Sequence, residues 1–146
     1  MVHIQQSLVL SANANDVWSV VGDFDKINEW HPAVLTIEHD DDDDEGHIRL
    51  LGLLGGTKKM KERLIELNED DLTYSYTIED GPLPVQEFTG TISVDASNEE
   101  TGSSIFTWVA EFEPKDTTEE DATAIITGYF ATGLKGLKKI FDERNE

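Results

Sequence analysis

The chain has 146 residues, 31 Asp and Glu against 11 Lys and Arg, a formal net charge of −20, and no cysteine. A surface this acidic repels nucleic-acid phosphates and anionic membranes, so neither is expected as a partner. Disulfides, thiolate metal sites and cysteine nucleophiles are excluded, and the 38% of residues that are hydrophobic are periodically placed, which argues against disorder.

The length suits one domain spanning residues 1–146, able to bury roughly 70% of the surface it exposes when unfolded. No segment approaches the ~20 apolar residues of a membrane span. The start, Met1-Val2-His3-Ile4-Gln5, lacks the basic and apolar regions of a signal peptide, so a cytoplasmic protein is expected. The charge favours a monomer or at most a weak homodimer.

Val2 to Leu10 is rich in β-branched residues and reads as a strand. A helix follows, with Asn13 as N-cap and Asp16 in its first turn; Val17, Val20, Val21 and Phe24 share one apolar face. Asp25 to Trp30 reads as a second short helix, ended by the restriction Pro32 places on His31.

From Ala33 to Pro114 the pattern is β. Val34–His39 and His47–Leu53 pair across Glu38–Glu45, where seven of eight residues are acidic. That run lacks the spacing of a calcium loop and reads as a solvated hairpin tip. Leu53–Gly56 is a glycine-rich turn. Lys58–Leu67 pairs with Leu72–Glu79, and Gln86–Ala96 with Ser103–Glu113, with Gly81-Pro82-Leu83-Pro84 as a stiff connection. The result is an antiparallel meander of six strands that the first strand joins at an edge.

Thr117 and Glu120 form a capping-box pattern ahead of a long helix. Ala122, Ile125, Ile126, Tyr129, Phe130, Gly133, Leu134, Leu137 and Phe141 form its apolar stripe. Its first turn is acidic and its end basic, as the macrodipole favours. Some 26 residues of helix span about 39 Å, enough to cross a small sheet.

Strand parity indicates which residues face that helix. The inward set is Tyr74, Tyr76 and Ile78 on one strand, Phe88 on the next, and Phe106, Trp108 and Phe112 on the last. Parity in 58–67 is ambiguous, with Met60, Glu62 and Leu64 competing against Lys61, Arg63, Ile65 and Leu67. A curved sheet with one helix laid across it is expected to enclose a cavity, the ordinary setting of a small-molecule site.

The order β-α-α-β6-α, with Val17-Trp18-Ser19-Val20-Val21-Gly22-Asp23-Phe24 and then Trp30-His31-Pro32-Ala33-Val34, resembles the START/Bet v 1-like (SRPBCC) superfamily. Within it, the chain is most similar to the polyketide cyclase/dehydrase-like group. Glu62-Arg63-Leu64, Tyr74-Ser75-Tyr76 and Phe112-Glu113-Pro114 carry the likeness further. It implies an α+β helix-grip fold: a curved antiparallel sheet of about seven strands around a long C-terminal helix, with two short helices after the first strand. The layout is also similar to plant abscisic acid receptors. By that likeness His31 stands at the position of their ligand-pairing lysine, Glu62 at their cavity glutamate, Tyr76 and Ile78 on their cavity strand, and Phe88 at their cavity tyrosine. Leu53–Gly56 and Gly81–Pro84 fall at their gate and latch loops. The loops differ and the lysine is missing, so hormone recognition is not implied.

The expected partner is a small hydrophobic or amphipathic ligand, lipid- or polyketide-like. Its pocket would be lined by His31, Met60, Glu62, Tyr74, Tyr76, Ile78 and Leu83, and further by Phe88, Phe106, Trp108, Phe112, Ile125, Tyr129 and Gly133. An imidazole at residue 31 has a pKa near neutrality and could donate to a ligand carbonyl or move a proton; bonding to backbone would instead make it structural. A buried Glu62 would have a raised pKa, unless it is paired with a neighbouring Lys or with Arg63. Three functions stay open: a binding or carrier module, a cyclase/aromatase-type enzyme using His31 with Glu62 or Tyr76, and a co-chaperone-like interaction module. The sequence contains no nucleophile elbow, phosphate loop or dinucleotide fingerprint, so no cofactor is expected. Four scattered histidines give no metal expectation, although His39 and His47 could meet across their hairpin.

Overall fold

In a computed structural model, residues 1–39, 47–56, 58–98 and 101–144 are described. Seven strands form one antiparallel sheet: β1 (Val2–Leu10), β2 (Val34–His39), β3 (Ile48–Leu53), β4 (Met60–Asn68), β5 (Thr73–Asp80), β6 (Val85–Asn98) and β7 (Ser103–Pro114). Their order is β1-β7-β6-β5-β4-β3-β2, so the first strand closes one edge beside the last. Helix α1 (Ala14–Val21) and a 3-10 helix (Phe24–Glu29) follow β1, and helix α2 (Glu119–Arg144) ends the chain. This is the helix-grip arrangement. The acidic hairpin tip read from the sequence lies outside the described residues.

The local chemistry explains the helix starts. The Asn13 side chain accepts from the Asp16 N–H at 2.9 Å and caps α1. The second short helix is a 3-10 turn rather than α, and it begins one residue before the expected Asp25. Six residues are too few for stable α geometry, and the backbone breaks at Lys26 (φ −126°, ψ 24°). At α2 the cap is Thr118, whose Oγ1 accepts from Asp121 N–H at 3.1 Å, in place of Thr117. The sequence offers two overlapping boxes there, and the later one is used.

The strand parity holds on β5, β6 and β7: Tyr74, Tyr76, Phe88, Ile92, Phe106, Trp108 and Phe112 are all buried. The ambiguity on β4 has a structural cause. Glu62 opposes Ile78 and Leu64 opposes Tyr76, then the register slips at residue 65 so that Leu67 opposes Tyr74. The bulge inserts one residue and brings Leu67 opposite Tyr74, but Leu67 stays 44% exposed, so the inward set of β4 is the even one before the bulge. Met60 and Glu62 are buried, whereas Ile65 is 54% exposed.

Along α2 the buried stripe is Ala122, Ile126, Phe130, Gly133, Leu137 and Phe141. Ile125, expected in that stripe and in the pocket, is instead 44% exposed. It sits one residue before the line formed by Ile126 and Phe130, and the stripe is narrower than the sequence suggests. Helix α2 packs mainly on β1 and β7. The inward face of β3, β4 and β5 is therefore closed by large side chains rather than by helix backbone. Among the described residues, no helix is long and apolar enough to cross a membrane.

Candidate functional site

Two neighbouring strands bring one positive and one negative side chain into the interior. Arg49 on β3 stands opposite Glu62 on β4 in the ladder register, and residues directly opposite each other share a face. Arg49 Nε donates to Glu62 Oε1 at 2.7 Å, and Nη2 lies 2.6 Å from the same oxygen. Nη1 donates to the Phe24 carbonyl. The guanidinium carbon lies 3.8 Å from the centre of the Phe24 ring, in cation–π contact. Both members of the pair are withdrawn from solvent, with Glu62 at 1% exposure.

Three tyrosines surround the pair. Tyr74 and Tyr76 come from β5, and Tyr129 from α2. The Tyr76 hydroxyl accepts from Trp108 Nε1 at 3.0 Å. Its ring occupies the space left by Gly90 opposite, where a Cβ would fall 2.5 Å from Tyr76 Cζ. The Tyr74 hydroxyl is buried with no hydrogen-bond partner among the described residues, and its ring packs edge-on to Phe24 at 5.7 Å. The Tyr129 hydroxyl is buried with no hydrogen-bond partner among the described residues, an uncommon state that costs stability.

The electrostatics follow from burial. Desolvation pushes the Glu62 carboxyl above its usual range, and the adjoining Arg49 charge pulls it back in part. Desolvation, reinforced by the Glu62 charge, raises Tyr76 and Tyr129 well above the ordinary phenol value. All three hydroxyls are therefore neutral donors at physiological pH.

His31 occupies a different environment. Its Nδ1 accepts from Ala33 N–H at 3.2 Å, and its Nε2 donates to the Tyr129 carbonyl at 2.8 Å. Its ring stacks on Tyr129 with centroids 4.3 Å apart. These two bonds fix a neutral imidazole, and burial lowers its pKa to about 4. Gly133 provides the gap for it, because a Cβ there would lie 2.6 Å from His31 Cδ2. Both ring nitrogens are thus committed to backbone, and His31 orients Tyr129.

The expected lining residues fall into groups. Glu62, Tyr74, Tyr76 and Tyr129 gather around Arg49. Phe88 stacks on Phe112, and Trp108 stacks on Phe130 at 4.0 Å and meets Phe106 edge-on. Met60 is fully buried, Ile78 and Leu83 are half-buried, and Ile125 lies outside the group. Arg49 is the residue the sequence reading missed. It sits in Ile48-Arg49-Leu50-Leu51, where apolar neighbours on both sides hide the parity; a facing register with Glu62 is the signal that could have found it. Arg63, weighed as Glu62's partner, pairs instead with Glu79.

A cleft of about 400 Å³ opens between α1, the 3-10 helix and β4, lined by Trp18, Gly22, Phe24, Leu64 and Leu67 among others and not, as was expected of the pocket, by the inward-facing residues beneath α2. Phe24 separates this cleft from Arg49.

Comparison with known proteins agrees with the fold and the sequence pattern. XoxI from Bacillus cereus superimposes with a TM-score of 0.91 at 25% identity, covering 100% of this chain and 99% of that one. A protein from Thermobifida fusca gives 0.80 at 30% identity, with 98% and 95% covered. A norcoclaurine synthase from Thalictrum, solved as a point mutant with a transition-state analogue, gives 0.72 at 19% identity over 99% and 96%, a likeness of fold alone. No curated protein matches the chain. The sequence profile described as polyketide cyclase / dehydrase and lipid transport matches residues 1–142, and the chain belongs to that family.

Proposed function

We propose that the protein binds a small amphipathic molecule, lipid- or polyketide-like, between the sheet and α2. The ligand's polar end would lie at the Arg49–Glu62 pair. The observation that carries this is a buried ion pair inside an otherwise aromatic interior, with the Tyr74 and Tyr129 hydroxyls, both without a partner among the described residues, nearby. Ion pairs in such surroundings seldom add stability over apolar residues of the same size, so a ligand that uses their hydrogen-bonding capacity gives them a role. Support comes also from the family's description, which includes lipid transport. Entry requires a moving side chain, because Tyr74, Tyr76 and Trp108 are at most 1% exposed. Phe24 is suited to this role, since its ring covers Arg49 and borders the 400 Å³ cleft.

Native mass spectrometry of the purified protein for a retained small molecule is the first test. The second is titration with long-chain fatty acids and aromatic polyketides, followed by tryptophan fluorescence. Saturable binding that Arg49→Met weakens at least tenfold supports the reading. No retained molecule and no saturable binding across both classes overturns it.

A cyclase-type reaction is the second reading, favoured by the buried, upward-shifted Glu62 carboxyl beside the Tyr76 phenol. There Glu62 would move the proton, Tyr76 would hold the substrate oxygen, and His31 would act through Tyr129. Glu62→Gln that retains binding but loses turnover of a bound polyketide would favour it over a carrier.

A further inference from the structure

The hairpin that carries Arg49 has a second polar cluster at its outer end. His39 closes β2 and His47 precedes β3, and Asp25 of the 3-10 helix reaches both. His47 Nε2 lies 2.6 Å and His39 Nδ1 3.4 Å from the same Asp25 oxygen, Oδ1. One ligand-type atom from each residue lies within 4.8 Å of the other two. Tetrahedral zinc with bonds of about 2.0–2.2 Å needs ligand atoms roughly 3.3 Å apart, a spacing that His39 and Asp25 already have at 3.4 Å and that His47 would reach by backing off from its 2.6 Å contact. The two imidazole rings are held rather than free. They meet edge-on with centroids 6.1 Å apart, and His47 also packs edge-on against Phe24 at 5.6 Å.

We propose that Asp25, His39 and His47 form a surface site for a divalent transition-metal ion of the zinc class. Imidazole selects zinc, nickel and copper over calcium and magnesium, which prefer all-oxygen ligand sets. Residues 40–45, six acids in sequence between the two histidines, raise the local cation concentration without supplying that selectivity. The ligands come from two separate elements, so an ion would pin the β2–β3 hairpin to the 3-10 helix. Asp25 and His47 also line the 400 Å³ cleft, which places the ion at its rim.

The test is titration of the metal-free full chain with zinc chloride, followed by calorimetry and thermal unfolding, with cobalt(II) absorption to report the ligand set. The expected result is one zinc per chain and a Tm raised by several degrees. His39→Ala and His47→Ala should each weaken binding at least tenfold. His3→Ala should leave it unchanged, since His3 lies on β1 against Glu111 at 3.3 Å and is not part of the cluster. All three histidines are exposed, and circular dichroism checks that each variant is folded. The proposal is overturned if zinc does not bind, if the His39 and His47 variants bind as tightly as the parent, or if equimolar calcium displaces the ion. The last two results would assign binding to the acidic run alone.

Discussion

Arg49 and Glu62 are cross-strand partners whose side chains meet at 2.7 Å in an interior that excludes water. The guanidinium is also held by the Phe24 carbonyl and ring. Removing one partner strands the other charge, whereas removing both strands neither.

Arg49→Met should therefore destabilise the fold by about 3–5 kcal/mol, the cost of an uncompensated buried charge. The double variant Arg49→Met with Glu62→Leu should recover most of that loss. Urea denaturation of the single and double variants measures both. Equal destabilisation in the two would show that packing, not charge pairing, dominates.

Legibility in the sequence follows the same distinction. Alternation and capping chemistry are local, so β1 was readable to the residue and the inward aromatics of β5, β6 and β7 were readable from parity. The polar heart was not, because Arg49 and Glu62 meet only through a register between strands, and β4 slips register at its bulge. His31 was visible as a residue, and a backbone-bonded structural role was one of its two readings, but its partners were not visible. Its partners are the backbone at Ala33, two residues on, and at Tyr129 on the distant C-terminal helix, and only the first of these is local.

The His31 environment predicts a pH dependence. Burial holds its pKa near 4, against 6.5 for an ordinary histidine. Between those values the unfolded chain binds a proton that the folded chain refuses, so folding stability falls as the pH drops from 6.5 toward 4. The loss approaches about 3 kcal/mol, at 1.36 kcal/mol for each pKa unit. Carboxylates titrate in the same window, so the measurement is a difference: denaturation midpoints at pH 7 and pH 4.5 for the parent and for His31→Gln. The variant should be less stable at pH 7 and show a shallower acid-side slope. Parallel slopes would refute the assignment.

Tyr76 predicts a separable effect. Tyr76→Phe deletes the acceptor of Trp108 Nε1–H and leaves a buried donor unpaired, at a cost of about 1–3 kcal/mol. The ring and its fit against Gly90 are retained, so the fold should persist. Near-ultraviolet circular dichroism should report the changed tryptophan environment, and thermal unfolding the lost stability.

Two glycines of α2 should respond in opposite directions to the same substitution. Alanine is favoured over glycine inside a helix by about 1 kcal/mol when nothing else changes. At Gly128 a Cβ would meet nothing within 4 Å, so Gly128→Ala should stabilise the protein by up to about 1 kcal/mol. At Gly133 the Cβ would lie 2.6 Å from His31 Cδ2 and 2.9 Å from Trp108 Cζ3. Those rings are themselves fixed, His31 by two backbone hydrogen bonds and Trp108 by Tyr76. The helix must then move away from the sheet, and overpacking of this kind costs about 1–3 kcal/mol, more than the propensity gain. Thermal unfolding of the two variants side by side checks the sign of each. Stabilisation by Gly133→Ala would mean that the loop holding His31 yields easily, and that the rigid placement of Tyr129 argued from it is incorrect.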